Sequence, residues 1–110
     1  MPRPAKCRKI GFSPAVTYFK PRGIPMAQLE AVCLELDEVE ALRLADLEAL
    51  YQVDAAERMG VSRQTFANIV ARARYKVADA LIHGKALQIN LAHEGLAPVV
   101  FPSVSDREKE

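Results

Sequence analysis

Residues 52–69 read QVDAAERMGVSRQTFANI, and this stretch decides the fold. Ala55, Met59, Phe66 and Ile69 are apolar at positions that face a core if two helices flank Gly60, and Val61 is apolar in the turn. The spacing predicts a helix from about Gln52 to Met59, a stop at Gly60 and a further helix capped by Ser62. Two helices joined by so short a turn form a helix-turn-helix. Gly60 supplies the turn residue, where a positive φ is needed. Ala56 stands where the two helices would approach most closely, so a small side chain is required there. Ser62 caps the later helix and directs Arg63, Gln64, Asn68 and Arg72 toward solvent.

Downstream, the helix that begins at Arg63 extends to about His83. Phe66, Ile69, Val70, Ala73, Val77, Ala80 and Leu81 share one arc of about 120°, with Gln64, Asn68, Ala71, Arg72 and Tyr75 opposite. Gly84 is a natural stop. Ala86–Leu91 reads as one more strand. Leu96–Pro102 is apolar but carries Pro98 and Pro102, and Ser103–Glu110 is polar.

Upstream, Asp37 is in position to cap a helix, with Glu40 three residues later as in a capping box. Val39, Leu42 and Leu47 give that helix its apolar face, and Glu38 and Glu40 sit in its first turn, where the helix dipole favours negative charge. The carboxylates of 35–57 are expected on exposed sides of helices. Ala31–Leu36 supports two readings: a strand, from the period-two alternation of Val32, Leu34 and Leu36, or a short helix from Pro25 with Met26, Leu29 and Val32 on one side. Residues 1–25 hold five of the seven prolines, which forbids a long helix there. Two extended pieces fit between them, near Ile10–Phe12 and Val16–Phe19.

These elements make one domain of 110 residues, mainly α: a three-helix, helix-turn-helix core with short extended or β segments at its N- and C-terminal edges. The organisation expected is a basic Pro-rich arm over 1–25, the helix-turn-helix domain over 26–89 and a partly flexible tail over 90–110. No run approaches the roughly 18 apolar residues of a membrane helix. Two cysteines make a disulfide scaffold unexpected and a cytoplasmic location the simplest one.

The formal net charge of +1 hides a segregated pattern. Residues 1–22 carry six bases and no acid, residues 23–57 nine acids against Arg43 alone, and residues 58–85 six bases against Asp79 alone. Two basic blocks in a near-neutral chain indicate local patches for a polyanion. The exposed set has matching chemistry: Gln and Asn pair with adenine edges in a major groove, and Arg with guanine. Arg72, Arg74 and Lys76 fall later on the helix, where phosphate contact is expected.

Asp37–Leu81 resembles region four of bacterial sigma factors and related transcription regulators. The resemblance rests on Glu40, Ala41, Leu42 and Leu44, on Ala55-Ala56 and Met59-Gly60-Val61-Ser62, and on Thr65, Phe66, Arg72, Ala73 and Lys76. The chain up to about Ile89 is similar to a small prokaryotic family, domain of unknown function one hundred and thirty-four. The stretches that carry this are MPRPAKCRKIGF at 1–12, YFKPRGIP at 18–25, DEVEALRLADLEALYQ at 37–52, AAERMGVSRQTF at 55–66 and ARARYKVADALIHGKAL at 71–87. The resemblance implies DNA binding, inferred for that family from the same motif.

Other reactive residues read more plainly. Cys7 lies in a basic run, which lowers a thiol pKa and favours redox chemistry or metal binding in principle. Cys33 reads as a small core or edge residue. His83 sits at a helix end and His93 in a loop-like stretch, neither at zinc spacing with the cysteines. With no nucleophile beside a base and no Gly-rich phosphate loop, neither enzymatic activity nor a cofactor or metal is expected.

The function expected is sequence-specific binding of double-stranded DNA in transcriptional regulation. The residues expected to carry it are Ser62, Arg63, Gln64, Thr65, Ala67 and Asn68, then Arg72, Arg74 and Lys76, and Arg3, Lys6, Arg8 and Lys9 of the arm. A homodimer is a candidate state, with Leu96–Phe101 as its interface or as a cover for the core. The alternative is a protein-interaction adaptor that uses the same fold to contact RNA polymerase or another regulator through the acidic block 35–57.

Overall fold

The computed structural model describes residues 9–91. Its helical part is built as the local signals dictate. Gln52–Met59 forms α2 and Arg63–His83 forms α3. Gly60 ends α2 in the left-handed region at φ 70°, ψ 33°. Its N–H donates to the Glu57 carbonyl at 3.1 Å and the Val61 N–H to that of Ala56 at 3.0 Å, the two bonds of a Schellman closure. Three residues then separate the helices. Gly84, at φ 67°, closes α3.

Leu36–Leu42 forms α1, and its start corrects the expected cap by two residues. Glu35 is the N-cap, and the Glu38 Oε1 accepts the Glu35 N–H at 2.9 Å. Asp37 therefore lies inside the first turn. The helix can begin this early because the preceding Ala31–Glu35 is a strand, β2, whose extended backbone runs up to the cap. A five-residue π turn, Arg43–Leu47, follows α1 and was not anticipated. Its extra residue swings the face round: Leu44 is fully buried, while Leu47, expected on the apolar face with Val39 and Leu42, is 80% exposed. Ala49 then takes a positive φ of 57° as the chain turns toward α2.

The two readings of Ala31–Leu36 are settled in favour of the strand, and the turn after Pro25 is only the three-residue 3-10 piece Met26–Gln28. Ala86–Asn90 forms β3 and Tyr18–Phe19 forms β1. The sheet order is β1-β3-β2. β2 runs parallel to β3, with Val32 opposite Leu87 and Leu34 opposite Ile89, and β1 runs antiparallel, with Tyr18 opposite Gln88. A parallel pair needs a long crossover, and here all three helices supply it. Among the described residues, the extended piece near Ile10–Phe12 pairs with no strand.

Ala41, Leu44, Ala55, Ala56, Met59, Phe66, Ile69 and Val70 make one buried cluster between the helices. The inner arc of α3 holds as far as Ala80, but Leu81 is 74% exposed. Residues 9–12 are not a loose arm. Ile10 is buried, the Lys9 N–H donates to the Met59 carbonyl at 3.0 Å, and the Gly11 N–H donates to Glu40 Oε2 at 3.0 Å. A Cβ on Gly11 would stand 2.9 Å from Arg43 Nη2, so a side chain there would have to displace the Arg43 guanidinium. Among the described residues no helix is long and apolar enough to cross a membrane.

Candidate nucleic-acid interface

The outer face of α3 begins at a locked first turn. Ser62 Oγ accepts the Thr65 N–H at 3.0 Å and donates to Thr65 Oγ1 at 2.9 Å. Thr65 is thereby committed to the cap, as a half-buried residue. Arg63, Gln64 and Asn68 are exposed, and Ala67 lies between them, half-buried. Gln64 Nε2 donates to Asn68 Oδ1 at 3.2 Å, an i,i+4 contact that pre-orients both amides along one stripe. Each keeps hydrogen-bonding capacity directed at solvent.

The later cations of α3 are placed differently. Glu38, 1% exposed, stands beneath them. Its Oε2 accepts from Arg72 Nε at 3.0 Å and its Oε1 from Lys76 Nζ at 2.8 Å, which also donates to the Cys33 carbonyl at 2.8 Å. Burial pushes the Glu38 carboxyl up. The hydrogen bonds from Lys76, the Glu35 backbone and Arg72 together outweigh that and hold it below the ordinary glutamate value. Arg74 reaches sideways to Asp46 in the π turn, with Nη2 to Oδ1 at 2.7 Å and Nε to Oδ2 at 3.1 Å. That fork holds the Asp46 carboxyl low and the Arg74 guanidinium high. So Arg72, Arg74 and Lys76 are not three free cations; each has an acidic partner on the α1 side.

The expectation that the carboxylates of 35–57 lie on exposed faces is corrected for Asp37, Glu38 and Glu40, all buried. Glu38 and Glu40 are buried where cations and backbone N–H groups reach them, as buried charge requires. Glu40 takes Arg43 in a two-point fork, Nε to Oε1 at 2.8 Å and Nη2 to Oε2 at 2.9 Å. Arg43 Nη1 goes on to Glu48 Oε2 at 2.5 Å, and its guanidinium lies 5.5 Å from the Phe12 ring centre. These partners, Glu40 first, raise the Arg43 pKa. The sequence reasoning missed Glu38 and Asp46 as partners of α3. The one signal available was global: nine acids over 23–57 face a block with six bases over 58–85.

Lys9 is the only expected arm cation among the described residues. It is exposed, and its methylenes lie over Gly60, where a Cβ would meet them at 3.8 Å. The described chain therefore begins beside the α2–α3 turn. Arg3, Lys6, Cys7 and Arg8, and likewise His93 and 96–101, lie outside the described residues.

Cys33 is an exposed free thiol on the edge strand β2; burial of its sulfur first, then the Glu35 charge, pushes its pKa up. His83 Nδ1 lies 2.7 Å from Asp79 Oδ1, and Lys85 Nζ donates to Asp79 Oδ2 at 3.1 Å, which holds the Asp79 carboxyl low. Among the described residues no three His, Cys, Asp or Glu side chains gather as a metal site.

Residues 1–93 match the profile of a family described as "Protein of unknown function DUF134". Similar curated proteins include a "UPF0251 protein" of Moorella thermoacetica, 56% identical over 89 residues, with 81% of this chain and 60% of the relative covered. Another from Desulforudis audaxviator is 58% identical over 89 residues, covering 81% of this chain and 58% of the relative. "UPF0251 protein VVA1436" of Vibrio vulnificus is 57% identical over 89 residues, covering 81% and 89%. The matched stretch thus spans about three fifths of the first two relatives. No solved structure matches. With most of its length under the family profile and close relatives in several bacteria, the chain belongs to the DUF134 family of proteins of unknown function.

Proposed function

We propose that α2, the Gly60–Ser62 turn and α3 act as a DNA-binding helix-turn-helix and that the protein regulates transcription. The observation that carries this reading is the N-terminal half of α3. Arg63, Gln64 and Asn68 are exposed there, on a helix whose first turn is capped and whose inner face is buried at Phe66, Ile69, Val70 and Ala73. Amide side chains one turn apart suit bidentate contact with adenine, and an N-terminal helical half is the part of such a motif that meets base edges. Phosphate contact falls to Arg63, Arg58 and Lys9, and to Arg3, Lys6 and Arg8, which precede the point where Lys9 lies over the turn. Arg74 remains half-exposed and can exchange Asp46 for a phosphate. The finer fold assignment belongs to the same proposal: α1, α2 and α3 as a three-helix core of the sigma region-four kind, working in the cytoplasm and without enzymatic activity.

The experiment is selection of a preferred duplex from a random pool, followed by binding of Gln64→Ala and Asn68→Ala to that site and to a scrambled one. Each variant loses about 1–3 kcal/mol on the selected site and little on the scrambled one. Equal losses on both would remove α3 as the reader.

A second reading has its own observation. Leu47 and Tyr51 are exposed on the α1–α2 connection and Val53 in the first turn of α2, close in sequence to the acids Asp54 and Glu57. Large apolar side chains rimmed by charge favour a protein contact there, such as RNA polymerase or a second copy of the chain. Co-purification that is lost in Leu47→Ser and Tyr51→Ser, with DNA binding unchanged, supports it.

A further inference from the structure

We infer that Arg72 reads a guanine in the major groove and that buried Glu38 is the positioning residue that aims it. This rests on the proposed DNA-reading role of α3 and assigns Arg72 a different task from its basic neighbours. Gln64, Asn68 and Arg72 follow one another at intervals of four, so Arg72 continues the same outward stripe. Its side chain is 54% exposed, yet its Nε is pinned at 3.0 Å to Glu38 Oε2. Glu38 itself is held by Lys76 Nζ at 2.8 Å and by the Glu35 N–H at 2.9 Å, so the anchor does not swing. A guanidinium is planar. Fixing Nε sets the plane of the whole group and leaves Nη1 and Nη2, which have no hydrogen-bond partner among the described residues, on its outer edge. Guanine O6 and N7 present two acceptors side by side in the major groove, and a pre-oriented arginine fork matches both at once, whereas a lysine ammonium on its flexible stem carries no preset geometry for the pair.

The neighbours lack this arrangement. Arg74 spends both Nε and Nη2 on Asp46. Lys76 is turned inward onto Glu38 and the Cys33 carbonyl, so it ties α3 to α1 and β2. Phosphate oxygens would accept the same two Arg72 donors, and the test separates the two sources.

The test uses the full chain, a duplex selected from a random pool, and copies of it with 7-deazaguanine, which lacks the N7 acceptor, at each guanine in turn. The wild type loses affinity about fivefold or more at one such position, and Arg72→Ala shows no further loss there. Arg72→Lys keeps the charge and the salt dependence but loses the same discrimination. Glu38→Gln weakens discrimination at that position with the salt slope unchanged, and a folded Glu38→Gln that discriminates as the wild type does removes Glu38 as the positioning residue; should it fail to fold, Glu38→Asp, which keeps the charge but draws the carboxylate back from Arg72, decides that part by the same readout. The inference is overturned if Arg72→Lys discriminates as the wild type does, if Arg72→Ala weakens selected and scrambled duplexes equally, or if no guanine is sensitive. If Gln64→Ala and Asn68→Ala lose site preference while Arg72→Lys keeps it, only this inference falls. If the wild type prefers no duplex at all, the reading of α3 falls with it.

Discussion

Replacing Glu38 by alanine should destabilise the fold far more than removing any exposed acid. Glu38 accepts two cationic donors and one backbone N–H while 1% exposed. Deleting it leaves Lys76, only partly exposed, without its carboxylate and the Glu35 N–H without its cap partner. Breaking a buried ion pair from one side costs about 3–5 kcal/mol. The lower end applies here, because Arg72 still reaches water. A loss of about 3 kcal/mol lowers the melting temperature of a domain this size by roughly 12 °C or more. Asp46→Ala is the control. It breaks the two-point bond to Arg74, but both partners are half-exposed, so the loss should stay within about 1 kcal/mol. The effect also has a sign in pH. Hydrogen bonds hold the folded-state Glu38 carboxyl below its ordinary value of 4.5 despite burial. Its contribution is therefore complete above that value and is lost as pH falls through the lower folded-state pKa. Melts of wild type, Glu38→Ala and Asp46→Ala, followed by circular dichroism at neutral pH and in acid, read all of this. Near-equal melting temperatures for the two variants at neutral pH, or a gap between wild type and Glu38→Ala that widens in acid, would refute the reasoning.

Two further outcomes follow from the turn and the surface. Gly60→Val should lower the melting temperature more than Gly60→Asn, by about 2 kcal/mol against about 1, because asparagine tolerates the left-handed region. A Cβ there meets only Lys9 methylenes at 3.8 Å, so the difference is conformational rather than steric, and equal melts would contradict the turn geometry. Leu47→Ser and Tyr51→Ser, at positions 80% and 81% exposed, should leave stability within about 0.5 kcal/mol. A fall of several degrees in either would show that these side chains pack within the protein.

The α2–α3 unit was legible because every signal for it is local. Gly60 ends one helix, Ser62 caps the next, and the apolar period lies within 18 residues. The strand over Ala31–Glu35 was half legible. Alternation favoured it, but its partner β3 lies more than fifty residues on, and a helix from Pro25 satisfied the same residues. The π turn was not legible, since nothing in Arg43–Leu47 marks an inserted residue, and it displaced Leu47 from the core face. The buried carboxylates were the largest gap. Glu38 reads locally as a first-turn acid facing water, and only cations 34 and 38 residues away on α3 make its burial tolerable. The candidate interface was legible to the extent that Gln64 and Asn68 point outward. The pairing of Arg72, Arg74 and Lys76 is a tertiary fact.

The central claim is that α3 and the basic residues around its start meet a DNA backbone, and the most direct measurement is the salt dependence of binding. Fluorescence anisotropy with a labelled random duplex, from low to physiological salt, gives the slope of log affinity against log salt. With about 4–6 phosphate contacts from Arg58, Arg63, Lys9 and the cations before it, the slope should be about −4 to −5. Affinity that does not change with salt, or no binding at the lowest salt, would contradict the account.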